Sequence, residues 1–217
     1  MGDPVTYDYL RDPEAIYAKS FAIARAEAEL SNLPDNLHDV ALRLIHACGM
    51  PDVPAELSWD GDPALAGRTA LQAGAPILVD AMMVRHGIID RLLPAQNAII
   101  CTLNDDGVAE AAKVRGDTRS AVAVERWRDQ LSGAVICIGN APTALYRLLE
   151  LLNDGAPKPA VILGFPVGFV GAAESKQALI DSAGDIPFLT LRGRRGGSAI
   201  AAAAVNALAG ALAGKLS

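Results

Sequence analysis

Five short, continuous apolar runs follow one another between residues 77 and 191, and most are separated by stretches with helical periodicity. A continuous apolar run predicts a strand buried on both faces, because a strand with one wet face would alternate polar and apolar residues. The predicted strands span residues 77–79, 98–101, 134–138, 160–163 and 188–191. Helical patterns span residues 120–131, 142–152, 172–180 and 198–212. This alternation predicts an α/β fold, three layers (α/β/α) around a mostly parallel five-stranded sheet.

The first third of the chain is predicted to be helical and to precede the sheet. Asp12-Pro13 is an N-cap followed by proline at the first helical position. A second helix starts at Leu33-Pro34-Asp35 and ends at Gly49, and a third begins at Asp62-Pro63. No linker-like stretch divides the chain, so we expect residues 1–217 to form a single domain.

Composition limits which partners the chain is expected to bind and in which cellular compartment it is expected to occur. The 217 residues carry a formal net charge of −6, so the chain should be repelled by nucleic acid and by anionic membrane surfaces. The apolar stretch 198–213 is short for a membrane span and contains Asn206, which favours a tightly packed helix. Three separated cysteines suggest neither a disulfide framework nor a zinc site, and the acidic N-terminus does not resemble a signal peptide. We therefore expect a cytoplasmic protein that binds neither membrane nor nucleic acid.

His46 is the most informative of the three histidines. At about 100° per residue it lies roughly opposite the apolar stripe of the second predicted helix, with Arg43 one turn earlier on the same side. That stripe consists of Leu37, Val40, Ala41, Leu44 and Cys48. Spacing alone favours a solvated helix face, and a functional role requires a ligand or a second subunit to cover it. No histidine or carboxylate cluster with metal-ligand spacing occurs, so no metal is expected.

Arginines beside glycines suggest where an anion could bind. Arg192 opens a segment with three arginines and three glycines just before a predicted helix, and Arg119 also stands just before one. Guanidinium groups and free amide protons at a helix N-terminus both suit a carboxylate or phosphate. The alternative is a solvated basic loop. The turn at residues 164–171 approximates a dinucleotide fingerprint, but its first glycine spacing is too wide.

Segments along nearly the whole chain resemble the precorrin-8X methylmutase family. They include Tyr9-Leu10-Arg11-Asp12-Pro13, Ser20-Phe21, Ile45-His46-Ala47-Cys48-Gly49, Gly74-Ala75-Pro76-Ile77-Leu78-Val79-Asp80, Ile99-Ile100-Cys101-Thr102-Leu103, Thr118-Arg119-Ser120-Ala121, Gly139-Asn140-Ala141-Pro142-Thr143, Gly164-Phe165-Pro166-Val167-Gly168-Phe169-Val170-Gly171 and Arg192-Gly193-Arg194. The segment from residue 50 to residue 63 matches less well.

The resemblance implies a Rossmann-like parallel sheet, a homodimer and an isomerase of cobalamin biosynthesis. The reaction it implies moves the methyl group of precorrin-8X from carbon 11 to carbon 12, which gives hydrogenobyrinic acid by an acid-catalysed 1,5-shift. Because this rearrangement involves no redox change, no cofactor is expected. The resemblance makes His46 the catalytic acid or base and places Ser20 and Arg43 on the substrate. Arg119 and Arg192 are added as substrate-binding residues on the ground of charge, because the tetrapyrrole substrate is a polycarboxylate.

Two alternatives remain open at this point. An NADP-binding oxidoreductase would use the glycine turn at residues 164–171 and place Arg192 on the 2′-phosphate. A tetrapyrrole-binding protein without catalytic activity would use the same arginines but would not convert its ligand.

Overall fold

A computed structural model describes residues 6–212 of the chain. Its helices are α1 (Pro13–Glu27), α2 (Asp35–Cys48), α3 (Val53–Glu56), α4 (Pro63–Gln72), α5 (Met82–Gly87), α6 (Val108–Arg115), α7 (Arg119–Glu125), α8 (Pro142–Asn153), α9 (Ala172–Ser182) and α10 (Ser198–Leu212). Its strands are β1 (Leu57–Asp60), β2 (Ile77–Val79), β3 (Ile99–Ile100), β4 (Val135–Ile138), β5 (Val161–Gly164) and β6 (Phe188–Leu191). Short 3₁₀ turns lie at Asp90–Leu92 and Arg128–Gln130.

The strands form one sheet in the order β1-β6-β5-β4-β2-β3, and every pair except β1 with β6 is parallel. The predicted α/β class and all five predicted strands are confirmed. The predicted number of strands is wrong, because β1 adds a sixth strand antiparallel to β6, with Leu57 opposite Leu191. This strand has only four residues, two of them polar, and lies at the edge of the sheet, so it lacks the apolar run that identifies the central strands.

Two cores cover the two faces of the sheet. Alternate residues of β4 point to opposite faces, so Val135 and Cys137 belong to one core while Ile136 and Ile138 belong to the other. On the first face α10 packs against β4 and β5, and α2 packs against the outer side of α10. Because α10 is enclosed in this way, its buried sides are apolar apart from Asn206, which hydrogen-bonds to the backbone of Gly87 and Ile89. No helix among residues 6–212 is long and apolar enough to cross a membrane.

Local signals explain most helix ends. Asp12 Oδ1 accepts a hydrogen bond from the Glu14 amide, 3.2 Å away, and Asp62 Oδ1 accepts one from the Leu65 amide at 2.9 Å. Gly49 ends α2 in the left-handed conformation, with φ of 69°. The predicted helix 120–131 is wrong in its second half, because α7 ends at Glu125. The chain then turns so that the buried Trp127 can donate its indole N–H to Thr102 Oγ1, 3.0 Å away.

Asp80 connects the ends of β2 and β4 at the carboxyl edge of the sheet. Its two carboxylate oxygens accept hydrogen bonds from the amides of Gly139, Asn140 and Ala141 at 2.9, 2.9 and 2.7 Å. Burial raises the pKa of Asp80, and the three amide donors oppose that rise by favouring the charged form. Gly139 has no room for a side chain, since a Cβ there would lie 2.6 Å from Ala201 Cβ. These three hydrogen bonds therefore fix the turn from β4 into α8.

Candidate active site

Three of the predicted site residues meet between α1 and α2. Ser20, on α1, places its Oγ 2.8 Å from Nδ1 of His46, on α2. Arg43 lies one turn before His46 on α2, on the same side of the helix. Four of the five residues of the predicted apolar stripe are buried on the opposite side, where α2 packs against α10, and Cys48 is half-buried.

Two aromatic rings of α1 form a wall beside the imidazole. The Phe21 ring stacks on the His46 ring with centroids 4.8 Å apart, and the Tyr17 ring lies 5.6 Å from it. The Arg43 guanidinium carbon lies 5.7 Å from the Tyr17 centroid and 5.5 Å from that of Phe21. Tyr17, Ser20 and Phe21 share one face of α1 because they are three and four residues apart. The wall therefore holds both the imidazole and the guanidinium in place.

The surroundings of His46 favour the neutral imidazole. Partial burial lowers the pKa of His46 below its ordinary value of 6.5, and the positive charge of Arg43 lowers it further. The imidazolium is therefore a stronger acid here than in water. The Ser20 hydroxyl can donate to Nδ1 of the neutral ring and accept from Nδ1–H of the charged ring. Nε2 has no hydrogen-bond partner within residues 6–212, so it is the nitrogen available to a ligand.

Two cavities flank this cluster. One, of about 130 Å³, is lined by Ser20, His46, Glu27 and Pro51 among others. The other, of about 220 Å³, is lined by Tyr17, Arg43, Ile89, Arg91, Leu92 and Gly210. Both are open to solvent in the single chain, so a ligand can reach the imidazole without displacing the core.

The remaining two predicted residues lie apart from this cluster and from each other. Arg192 follows β6 and contacts Ser58 Oγ at 3.3 Å, whereas Arg119 begins α7 and donates to Asn104 Oδ1 at 2.6 Å. Strands β5, β4 and β2 separate β6 from β3, which precedes α7. Arg119 and Arg192 share no contact partner within residues 6–212.

The arginine loop 192–197 is tied to the protein by several contacts. Arg195 forms an ion pair with Asp52, with Nη1 2.7 Å from Oδ2. The buried Lys176 of α9 donates its ammonium N–H to the Arg195 carbonyl oxygen, and burial lowers the pKa of Lys176 to about 8. Asp52 follows the C-terminus of α2 by four residues, so these contacts bring the loop close to that end of the helix.

Tyr17, Arg91 and Lys176 were missed as site or supporting residues. Tyr17 carried a usable signal, since it stands three residues before Ser20 and would share its helix face. Arg91 carried none, because it lies in a short 3₁₀ turn that apolar periodicity does not predict. Lys176 is a single lysine in a helical pattern, and nothing local marks it as buried.

An imidazole of lowered pKa beside an arginine, at a cavity of an α/β scaffold, is an arrangement typical of acid–base enzymes. The family model described as CbiC: Precorrin-8X methylmutase matches residues 15–211 of the chain. The chain belongs to the precorrin-8X methylmutase family. It is an isomerase, and the reaction of the family is the methyl shift that yields hydrogenobyrinic acid. The family excludes the two alternatives, an NADP-dependent oxidoreductase and a binding protein without activity.

Individual relatives agree with the family. The chain is 59% identical over 202 residues to the precorrin-8X methylmutase of Pseudomonas aeruginosa, covering 93% of this chain and 97% of that protein. It is 55% identical over 203 residues to the precorrin-8X methylmutase of Sinorhizobium sp., covering 94% and 97%. The crystal structure of precorrin-8X methyl mutase from Thermus thermophilus superposes with a TM-score of 0.84 at 36% identity, covering 94% of this chain and 98% of that one.

Proposed function

We propose that His46 is the general acid–base of the methyl shift and that Ser20 and Arg43 position it and the substrate. The contact between Ser20 Oγ and His46 Nδ1, 2.8 Å long, carries this proposal. It fixes the ring and leaves Nε2 as the nitrogen that exchanges a proton with the substrate. Because the pKa of His46 is lowered, the protonated ring gives up its proton readily and can take it back once the methyl group has moved.

The chemistry requires a proton at the conjugated ring system. A proton from Nε2 to a ring nitrogen or an adjacent carbon makes the system electron-poor beside the migrating carbon. The bond from the methyl group to carbon 11 then breaks as the bond to carbon 12 forms. The return of the proton to Nε2 leaves hydrogenobyrinic acid with the same atoms as precorrin-8X. The imidazolium is regenerated, and no electron leaves or enters the site.

The carboxylates of the tetrapyrrole are held by arginines in this proposal. Arg43 would bind a carboxylate beside the imidazole, while Arg119 and Arg192 would bind others at separate points of the rim. A large polycarboxylate is the kind of ligand that arginines on different elements of the fold can share. Replacing Arg192 by Ala should weaken product binding about ten-fold, which corresponds to the loss of one arginine–carboxylate contact.

The natural substrate is proposed to be metal-free precorrin-8X. Two relatives that share more than half of their residues with the chain are named precorrin-8X methylmutase. Relatives named cobalt-precorrin-8 methylmutase, such as those of Priestia megaterium and Salmonella typhimurium, are 33% and 37% identical. The higher identity supports the metal-free form.

A conversion assay tests both the activity and the form of the substrate. The protein is incubated with metal-free precorrin-8X and, separately, with its cobalt-containing analogue, and products are followed by absorption and mass. We expect hydrogenobyrinic acid, equal in mass to its precursor, to form faster from the metal-free substrate. Absence of any conversion would contradict the proposed activity, and faster conversion of the cobalt form would contradict only the choice of substrate.

The protein is also proposed to be a single-domain, cytoplasmic homodimer. The exposed side of α1 carries Ile16, Tyr17 and Ile23, and Tyr9 and Leu10 before the helix are exposed as well. A second subunit on this surface would bury apolar area and shield the neighbouring imidazole from water. Cys48, Cys101 and Cys137 are all free thiols, which suits a reducing compartment. Sedimentation of an active protein as a monomer would contradict the dimer.

A further inference from the structure

The cavity of about 220 Å³ is lined by two arginines, Arg43 and Arg91, and by Tyr17. Tyr17 and Arg43 also belong to the cluster around His46, so the cavity adjoins that cluster. The other residues that line this cavity are Ile89, Leu92 and Gly210, so none of the lining residues is acidic. A cavity with positive and apolar walls suits a ligand that combines a carboxylate with a hydrocarbon body.

Neither arginine forms an ion pair within residues 6–212, whereas seven of the fourteen arginines of this acidic chain do. Carboxylates engage Arg25, Arg85, Arg115, Arg126, Arg128, Arg147 and Arg195. Asp90, the acidic residue adjacent to Arg91 in the chain, is held by Arg85 through contacts of 3.0 and 3.4 Å. Arg43 adds a second observation, because its Nε is buried without a hydrogen-bond partner in the described part of the chain.

A buried, unpaired donor is costly unless a ligand satisfies it. We infer that Arg43 and Arg91 form a carboxylate-binding subsite that takes one rim carboxylate of the tetrapyrrole and thereby places the ring system next to His46. This inference rests on the proposed function and adds Arg91 to it. Arg43 is fixed by the Tyr17 and Phe21 rings, whereas Arg91 reaches the cavity from the 3₁₀ turn at Asp90–Leu92. The two guanidinium groups therefore approach the carboxylate from different elements.

The test compares a charged and a neutral ligand on matched variants. Hydrogenobyrinic acid, and the same compound with all its carboxylates converted to neutral amides, are titrated into the parent protein, Arg91→Ala and Arg128→Ala by absorption. Arg128 is an arginine engaged with Asp154 and serves as the control for the loss of one positive charge. We expect Arg91→Ala to weaken binding of the acid about ten-fold and to leave binding of the amide unchanged. Arg128→Ala should change neither.

A second series does not depend on the amide. Arg91→Lys should retain part of the affinity for hydrogenobyrinic acid, whereas Arg91→Met should lose as much as Arg91→Ala. Parent-like binding of the acid by Arg91→Ala, or equal losses for acid and amide, would overturn the subsite while conversion of precorrin-8X by the parent protein still upheld the proposed function. A parent protein that neither binds nor converts the tetrapyrrole would overturn both.

Discussion

Asp80 and Arg43 are both charged side chains with buried polar atoms, and they differ in how those atoms are satisfied. Asp80 accepts three backbone hydrogen bonds through its two oxygens. Arg43 leaves its buried Nε without a partner among the described residues and rests on two aromatic rings. Folding normally pairs buried polar groups with protein atoms. The sheet edge at Asp80 is thus satisfied by the protein itself, while the face between α1 and α2, in our proposal, is completed by the substrate.

The arginine loop 192–197 and the site between α1 and α2 also differ in whether the protein itself occupies their charged and polar groups. Arg195 is held by Asp52 and its carbonyl oxygen by Lys176, so these groups are occupied by the fold. Arg91, by contrast, lines a cavity and has no ion pair within residues 6–212. Changes at the occupied groups should therefore reduce stability, and changes at the unoccupied groups should reduce binding or turnover.

The largest effect on stability is expected at Asp80. Asp80→Ala leaves three backbone amides at the end of β4 without their acceptor, and each buried unsatisfied donor costs about 1 to 3 kcal/mol. We expect the free energy of unfolding to fall by about 3 kcal/mol or more, measured by urea denaturation with an unchanged m-value. Asp129→Ala, at an exposed carboxylate, should stay within about 0.5 kcal/mol of the parent protein. Similar small losses of unfolding free energy for both variants would contradict the structural role of Asp80.

A smaller effect, on binding rather than stability, is expected at Arg43. Arg43→Ala leaves no described acceptor unsatisfied and removes contacts with two aromatic rings, so the free energy of unfolding should fall by no more than about 1 kcal/mol. Product binding should weaken about ten-fold or more, as measured by absorption titration, because an arginine–carboxylate contact contributes about 1.5 to 3 kcal/mol. Arg25→Ala, which breaks the exposed pair with Asp39 between the same two helices, is the control and should bind product normally. A large loss of stability with normal binding would assign Arg43 to the fold instead.

The smallest expected effect is a change in the pKa of His46. Burial lowers the pKa of His46 most and Arg43 adds to the effect, so Arg43→Gln should raise that pKa without restoring the ordinary value of 6.5. Glu27, which lines the neighbouring cavity, remains in place in this variant. The imidazolium should then persist to higher pH, and the limb of kcat/KM that reports loss of the acid form should move the same way. An NMR titration of the His46 ring checks the direction, and a lower pKa in the variant would contradict it.

The lowered pKa of His46 also makes the stability of the folded protein depend on pH. Because the pKa of His46 is lowered on folding, the unfolded chain binds the proton more tightly than the folded chain. Stability should therefore rise with pH between the folded-state pKa and about 6.5. Arg43→Gln should make this rise smaller.

The central strands could be predicted because β2, β4 and β5 are buried on both faces and so consist of apolar residues throughout. The edge strand β1 could not, since half of its four residues are polar and its pairing with β6 joins segments far apart in the chain. Periodicity placed Arg43 and His46 on one face of α2, because both lie on a single helix. No local pattern shows that Ser20 of α1 meets His46, 26 residues later; only the resemblance pointed to it.

The contacts of Asp80 and the relative positions of Arg119 and Arg192 could not be predicted either, because both depend on tertiary structure. The sequence placed Asp80 at the end of a strand, but its three amide partners lie about sixty residues away, beyond β4. Arg192 follows β6, as expected, and Arg119 begins α7, but the strand order that decides how such residues lie relative to one another is not encoded in any local pattern. Their part in binding stays a prediction.

A single-turnover experiment with His46→Ala tests the central claim most directly. Precorrin-8X is mixed with an excess of the variant and followed by absorption, with His38→Ala, on the same helix, as the matched control; His38 interacts with the Leu33 carbonyl oxygen rather than with the site. We expect His46→Ala to bind the substrate but to convert it about 10² to 10⁴ times more slowly than the parent protein, the range for a lost general acid. His38→Ala should convert it at the parental rate. Conversion by folded His46→Ala at the parental rate would remove His46 from the mechanism.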